Sequence, residues 1–333
     1  MAHQLKLISM NCRGLRDIDK RKDVFNYLRQ KDANIVCLQD THILTSETNL
    51  VRAQWGYECI LSGSRRDARG VGIFFRNNFH YKLITDRSDR DGNLIIVKIE
   101  VNETVFVIVN IYGPNQDSPD FYRHVYHEVC STEADFIVMC GDWNLVQDFM
   151  LDCKHYKHQN NKQASSAVLQ MRDQLELLDP WRTKYPEGRR YTWTKRNPMK
   201  KARLDFFLMS EELLSCLDSV NILPGYRTDH AMVTLDIKLL AFNRGRGFWK
   251  FNNSLLRDKE YIKRVKQCIS ETRKEYAVMI YDPKHIDRLS AETICFSIDD
   301  QMFLDILLMK IRMATILYTI HKKKRDRNRE RDI

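Results

Sequence analysis

Short apolar runs punctuate the first 240 residues, and polar residues close each of them. Nine of these runs read as β-strands: LKLISMN, NIVCLQ, GVGIFFR, LIIVKIEV, TVFVIVNIY, DFIVMCGD, YTWT, LDFFLM and MVTLDIKL. They are short and rich in β-branched and aromatic residues, as strands are. TVFVIVNIY is apolar at nearly every position, the pattern of a strand buried on both faces. Helical spacing marks the stretches 20–31, 118–130, 163–178 and 210–217. Strands that alternate between hairpin-like neighbours and helical crossovers predict an α/β fold, a four-layer sandwich with two mixed β-sheets inside and helices outside.

The texture changes after residue 240. FNRGRGFWKFNNS is rich in Gly, Asn and Arg, which predicts a linker over 241–257. A mainly helical, basic segment follows over 258–333, with helices at 258–279 and 298–320. Ile306, Met309, Met313, Leu317 and Ile320 recur at helical spacing and predict one apolar stripe for packing, not a cofactor box. Asp305, Lys310 and Arg312 interrupt the longest apolar stretch, which excludes a membrane span there. The opening MAHQLKLISMN is too short and polar for a signal peptide. Nine cysteines occur singly, without a C-x-x-C pair, and predict reduced thiols in an intracellular protein of nucleus or cytoplasm.

Charge adds a partner class. The chain carries a net +10, and residues 241–333 hold 21 Lys and Arg against 13 Asp and Glu. Such a surplus favours polyanions. The terminal KKKRDRNRERD is either a solvated tail or an RNA contact. A second basic patch runs from Arg182 to Arg203, nine Lys and Arg against Glu187 alone, interleaved with Trp181, Tyr185, Tyr191 and Trp193. It fits a nucleic-acid backbone with a stacked base, and equally an exposed hairpin with a buried Trp.

Candidate chemistry lies where the apolar runs end. Asn11, Asp40, Asn110, Tyr112, Asn115, Asp142, Asn144, Asp205, Asp229 and His230 all stand at or just beyond a strand end. Each alone is an ordinary turn residue; together they predict a polar cluster facing one cleft. Asp142 and Asn144 are two apart, which in an extended segment puts both on one side. Asp229 and His230 are adjacent and point apart, so the carboxylate that orients His230 comes from another strand, for which Asp205 is the choice. Four carboxylates with Asn and no Cys/His cluster indicate a hard cation held by oxygen, Mg²⁺ foremost with Mn²⁺ as a substitute. No Walker A or G-x-G-x-x-G motif appears, so a nucleotide cofactor has no support.

The order SMNCRGL, CLQDTH, NIYGPN, GDWN, ARLDFFLMS and TDH resembles that of the endonuclease/exonuclease/phosphatase superfamily, and within it the endonuclease domain of LINE-type retrotransposons. The resemblance covers roughly residues 4–240. It implies a Mg²⁺-dependent endonuclease acting on double-stranded DNA and leaving a nick with a 3′-hydroxyl that primes reverse transcription. By the same resemblance Asp40 and Asp229 would hold or neighbour the metal, with Asn11 supporting the metal shell and the phosphate. Tyr112 would lie against the scissile phosphate, Asp142 would position the attacking water, and Asn144 would contact phosphoryl oxygens. Asp205 would orient His230, which would stabilise the pentacovalent phosphate. Thr192 would contact DNA near the cut, with Asn115, Arg189, Arg190, Lys195, Arg196 and Arg203 as further DNA-binding candidates. The resemblance extends to the helical segment and implies an element protein that stops ahead of the polymerase.

Three positions depart from the family pattern: Asp40 stands where Glu is usual, Ala202 and Thr228 where Ser is common. Aspartate draws the carboxylate back by about 1.5 Å, one carbon–carbon bond. Two other readings follow: a binding remnant whose catalysis Asp40 has weakened, and an apurinic-site nuclease or phosphoesterase on the same scaffold.

Overall fold

The computed structural model describes residues 4–156, 161–239, 253–278 and 295–331. The chain divides into two compact units, Met1–Gly245 and Arg246–Ile333. In chain order the first unit runs β1 (Gln4–Asn11), α1 (Ile18–Arg29), β2 (Ile35–Gln39), α2 (Thr48–Trp55), β3 (Cys59–Ser62), β4 (Val71–Phe75), β5 (Lys82–Ser88), β6 (Leu94–Val101) and β7 (Thr104–Tyr112). It continues with α3 (Pro119–Cys130), β8 (Phe136–Asp142), β9 (Cys153–Lys154), α4 (Lys162–Gln174), β10 (Leu177–Leu178), α5 (Pro180–Lys184), β11 (Trp193–Lys195), β12 (Lys200–Ala202), β13 (Asp205–Ser210), β14 (Leu217–Leu223) and β15 (Met232–Lys238).

Two six-stranded sheets form, ordered β14-β15-β1-β2-β4-β3 and β10-β13-β8-β7-β6-β5. Within each, one pair is parallel, β1 with β2 and β7 with β8, and helices α1 and α3 make those crossovers. Leu7, Ile35, Ile73, Ile95, Ile108, Val138 and Phe207 fill the space between the sheets. The opposite strand faces pack on helices: Ile8, Met10, Val36 and Leu38 meet Val24 and Phe25 of α1, while Val107, Val109 and Met139 meet Tyr122 and Val125 of α3. This is the four-layer sandwich that the sequence predicts. A strand buried between two layers must be apolar on both faces, which is why β7 reads as it does.

Several differences have local causes. The stretch 210–217 is a 3-10 turn, Glu211–Cys216, leading straight into β14, which shares the core through Val220. Helix α4 stops at Gln174, and β10 follows it. Strand β5 carries no alternating apolar pattern, since all seven of its residues are exposed at the sheet edge. YTWT belongs to a separate three-stranded sheet, β11-β12-β9.

In the second unit, a short 3-10 turn (Asn253–Arg257) leads into α6 (Lys259–Tyr276), and after the pair β16 (Ala277–Val278) and β17 (Cys295–Phe296) comes α7 (Asp300–Arg331). The predicted linker falls partly on residues 240–252, outside the described residues, and its remainder is this turn. Leu255, Tyr261 and Tyr318 form a small core, and Tyr261 Oη lies 2.7 Å from Thr315 Oγ1. Met309 and Met313 of the predicted stripe are more than half exposed, so that stripe is not the packing face. The Leu317 and Ile320 side chains, and those of the terminal charge run beyond Lys322, lie outside the described residues. No helix among the described residues is long and apolar enough to cross a membrane. The eight cysteines whose side chains are described are free, five of them buried.

Candidate active site

The period of a β-strand builds this site. Inward positions run Leu5-Leu7-Ser9-Asn11 on β1, Ile35-Cys37-Gln39 on β2, Phe106-Ile108-Asn110-Tyr112 on β7 and Val138-Cys140-Asp142 on β8. Each series starts apolar and ends polar. The strands are neighbours within their sheets, so all the polar ends meet at one end of the space between the sheets. Antiparallel β13 enters at that end with Asp205 opposite Asp142. A cleft of about 380 Å³ opens there.

Asp142 and Asp205 form the wall from the second sheet. Both are buried. Like charges directly opposite on neighbouring strands repel. Burial, and then the Asp205 charge, push the Asp142 carboxyl up to about 7. Two donors fix its orientation: Asn11 Nδ2 donates to Oδ2 at 2.9 Å and the Asn144 N–H to Oδ1 at 3.0 Å. His230 closes the wall from the β15 side, with Nδ1 2.9 Å from Asp205 Oδ2 and Nε2 3.9 Å from Asp142 Oδ2. Burial alone would lower the imidazole, but the charges of Asp205 and Asp142 outweigh it and hold it up at about 9. Asn144 is in the left-handed region, φ 49°, rather than extended, and its amide donates to the Gly113 carbonyl at 2.7 Å. It still lines the cleft beside Asp142.

The wall from the first sheet is wetter. Asp40 sits in a loop with left-handed backbone at Asp40 (φ 53°) and His42 (φ 58°). Both sides of that loop are pinned: Gly14 N–H donates to the Asp40 carbonyl at 2.7 Å, and His42 N–H to the Arg69 carbonyl at 2.8 Å. His42 Nε2 lies 3.0 Å from Asp40 Oδ1, and the ring packs on Gly14, where a Cβ would come within 2.9 Å of Nδ1. The Tyr112 hydroxyl also bonds Asp40; burial, with the charges of Asp40 and Asp142, keeps the phenol protonated. Asp229 is exposed at the mouth, 3.5 Å from Arg13 Nη1. Thr228, where Ser is common, donates its hydroxyl to the Asn11 carbonyl at 2.9 Å and accepts the His230 N–H at 3.2 Å.

A divalent cation fits these donors. Asp40, Asp229 and Asn11 line the cleft and offer oxygen. Asp142, Asp205 and His230 present ligand atoms within 4.8 Å of one another, and Asp205 Oδ1 is buried without a hydrogen-bond partner. Such a set suits a hard cation. With its Nδ1 beside Asp205, His230 is also placed for proton or oxyanion chemistry at Nε2.

The DNA-facing candidates separate into two groups. Asn115 lines the cleft, and Arg189, Arg190, Lys195 and Arg196 are exposed. Thr192 and Arg203 are corrected: both are buried, which removes them from any surface that DNA could touch. Thr192 Oγ1 accepts the N–H groups of Leu204 (2.9 Å) and Asp205 (3.0 Å), and its carbonyl accepts from Ala231, so it ties Asp205 to the His230 segment. Arg203 donates to Asp152 at 2.7 and 2.9 Å and to Asp179 at 2.6 Å, with Arg182 also bonded to Asp152. Two bases of the patch therefore anchor the hairpin from within. Ala202 is fully buried in the same sheet. Arg13, Tyr156 and Leu204 also line the cleft, with Trp193 edge-on to Tyr156 at 5.7 Å; sequence reading gave them no such place. Arg13 had a signal, since it follows Asn11 by two residues; Tyr156 had none.

Comparisons with known proteins agree with this geometry. The Endonuclease/Exonuclease/phosphatase family matches residues 8–230. The chain is similar to the Xenopus laevis Transposon TX1 149 kDa protein, 23% identical over 79% of this chain and 20% of that one. It thus spans about a fifth of that relative's length. It is similar to an exodeoxyribonuclease of Bacillus subtilis, 27% identical over 71% of this chain and all of that one. Among solved structures, an AP endonuclease from Leishmania major superposes with a TM-score of 0.59 at 16% identity, covering 71% of this chain and 88% of that one. With a match over two thirds of its length and this cleft at the strand ends, the chain belongs to the Endonuclease/Exonuclease/phosphatase family.

Proposed function

We propose that the chain is a divalent-cation-dependent DNA endonuclease that nicks one strand of a duplex and leaves a 3′-hydroxyl, the step that supplies a primer for reverse transcription. The observation that carries this is the Asp142–Asp205–His230 set on the cleft floor, a carboxylate held by two donors beside an imidazole oriented by a second carboxylate. Asp142 positions water for in-line attack. His230, held charged by its two acidic neighbours, neutralises the developing phosphorane charge from Nε2. Asn11 faces the same phosphate from the opposite wall, and Tyr112 from β7 beside Asp142. A bound Mg²⁺, or Mn²⁺ in its place, would supply further charge neutralisation, with Asp40, Asp229 and Asn11 to hold it.

The transposon relative supports a target-site role, and the exposed bases of the β11–β12 hairpin support a duplex as substrate. The basic end of α7 is a candidate site for element RNA. A second reading has an observation of its own. Tyr156, Trp193 and Leu204 give the cleft one apolar wall, which suits a deoxyribose lacking its base, and relatives include an apurinic or apyrimidinic site endonuclease of Dictyostelium discoideum.

The test is nicking of supercoiled plasmid in Mg²⁺ by the chain, Asp40→Glu and Asp205→Ala, beside cleavage of matched intact and abasic duplexes. Nicking by the first two with Asp205→Ala silent supports the proposal. Cleavage of abasic duplex alone moves the chain to the repair-type reading. Activity confined to Asp40→Glu leaves a DNA-binding remnant.

A further inference from the structure

Among the described residues that line the cleft, Arg13 is the single Arg or Lys, in a cleft it shares with the carboxylates of Asp40, Asp142 and Asp229. Its backbone is placed by the site itself. The residue sits in the left-handed region at φ 49°, its N–H donates to Asn11 Oδ1 at 2.9 Å, and its carbonyl accepts from Lys20 Nζ at 2.8 Å. Asn11 in turn donates to Asp142. The side chain is held far less firmly: two thirds exposed, its ion-pair contact is Nη1 to Asp229 Oδ2 at 3.5 Å. That is long for a hydrogen bond, and an exposed pair of this kind is worth about 0–1 kcal/mol. A fixed backbone with a loosely held guanidinium at the mouth of an acidic cleft is what a clasp for an incoming anion requires. Guanidinium matches a phosphodiester through two parallel N–H···O bonds, which a single long contact to carboxylate does not.

We infer that Arg13 is a substrate-binding residue that clasps a DNA backbone phosphate at the cleft mouth and, on leaving Asp229, frees that carboxylate for the cation. The inference rests on the nuclease reading and deepens it. Without DNA, Arg13 occupies Asp229 and opposes cation binding by its charge. With DNA, it turns to the phosphate, and cation and substrate then favour each other's binding.

The two halves predict effects of opposite sign. Duplex binding is measured by fluorescence anisotropy in EDTA, across a salt series, with the full chain and with Arg13→Asn and Arg13→Lys. Asparagine tolerates the left-handed backbone, so the variant keeps the loop. Arg13→Asn is expected to weaken duplex binding about tenfold and to lower the slope of log K against log salt by about one. Arg13→Lys keeps the slope and loses part of the affinity. Mn²⁺ binding without DNA is measured by electron paramagnetic resonance, and Arg13→Asn is expected to bind Mn²⁺ several-fold more tightly, on the order of the 10-fold that 1.4 kcal/mol represents. A purely structural role for Arg13 would weaken both or neither. Unchanged slope and unchanged Mn²⁺ affinity, in a chain whose wild type binds duplex, overturn the inference alone. Failure of the wild-type chain to bind any duplex overturns the inference and the nuclease reading together.

Discussion

The two walls of the cleft are built on the same strand rule and end in opposite conditions. On the second-sheet wall, Asp142 and Asp205 are buried, oriented by named donors, and face an imidazole that their own charge keeps protonated. On the first-sheet wall, Asp40 and Asp229 are partly exposed and each is engaged by a positive or polar neighbour, His42 and Tyr112 on one, Arg13 on the other. On the proposed reading, the acid–base side is thus assembled by folding alone. The side proposed for the cation is provisional, since a cation or substrate would have to displace or reorient what already sits there. Preorganised charge is where catalysis gains most, because nothing reorganises when the reaction begins.

The largest expected effect breaks the rigid wall. Asp205→Asn keeps strand β13 but removes the charge that orients His230 through Nδ1 and holds it protonated, and nicking at saturating Mg²⁺ should fall on the order of 10³–10⁴-fold. Initial rates on supercoiled plasmid check this, with far-ultraviolet circular dichroism unchanged. Next comes the frame behind it. Arg203→Ala leaves Asp179 buried without its cation and Asp152 with Arg182 alone, and thermal melting should report a loss of about 3–5 kcal/mol. A melt unmoved by that change would show that Arg182 alone holds the hairpin. The provisional wall responds more gently. Asp40→Glu restores the missing methylene, and the Mg²⁺ concentration for half-maximal nicking should drop about 10-fold, in line with the usual sensitivity of metal sites to their ligand shells.

The smallest effect concerns pH in metal-free protein. Folding raises Asp142 from an ordinary 3.8 to about 7, and His230 from 6.5 to about 9. In both cases the native state binds more protons than the unfolded chain, so the stabilisation is full at low pH and is lost as pH rises through the folded values. Between pH 4 and 9 this contribution declines, with the His230 part lost between 6.5 and 9. Melting in EDTA should fall by a few degrees across that upper window, since about 1 kcal/mol moves a domain of this size by ~2–4 °C. His230→Gln should flatten the decline there.

Much of this was legible because burial is written in period two. The apolar runs of β1, β2, β7 and β8 announced themselves, and the polar residues that close β1, β7 and β8, Asn11, Tyr112 and Asp142, were legible as strand-end chemistry for the same reason. Where burial was absent, so was the signal. Strand β5 is exposed throughout, and β14 mixes Asp218, Ser219 and Asn221 among its apolar positions. Partnerships across the chain leave no local trace either. Arg203 reads as one more base in a patch until Asp152 and Asp179 close on it from 51 and 24 residues away. Thr192 reads as a surface hydroxyl until two backbone donors bury it. On α7 helical spacing placed an apolar stripe, but spacing cannot say which side α6 takes.

The order of strands in the first sheet also governs when the proposed site can be completed during synthesis. Strand β1 is completed by β15, with Gln4 opposite Lys238, so the beginning of this unit waits for its end. Translation delivers residues at about 5–20 per second. A nascent chain that has already made β1 through β13 still lacks His230 and the strand that seats it. The second sheet has by then received all of its strands, since β5 to β8, β10 and β13 precede residue 211. The proposed site is therefore complete only once the stretch to Lys238 has been made, and a shorter chain carries an incomplete first sheet.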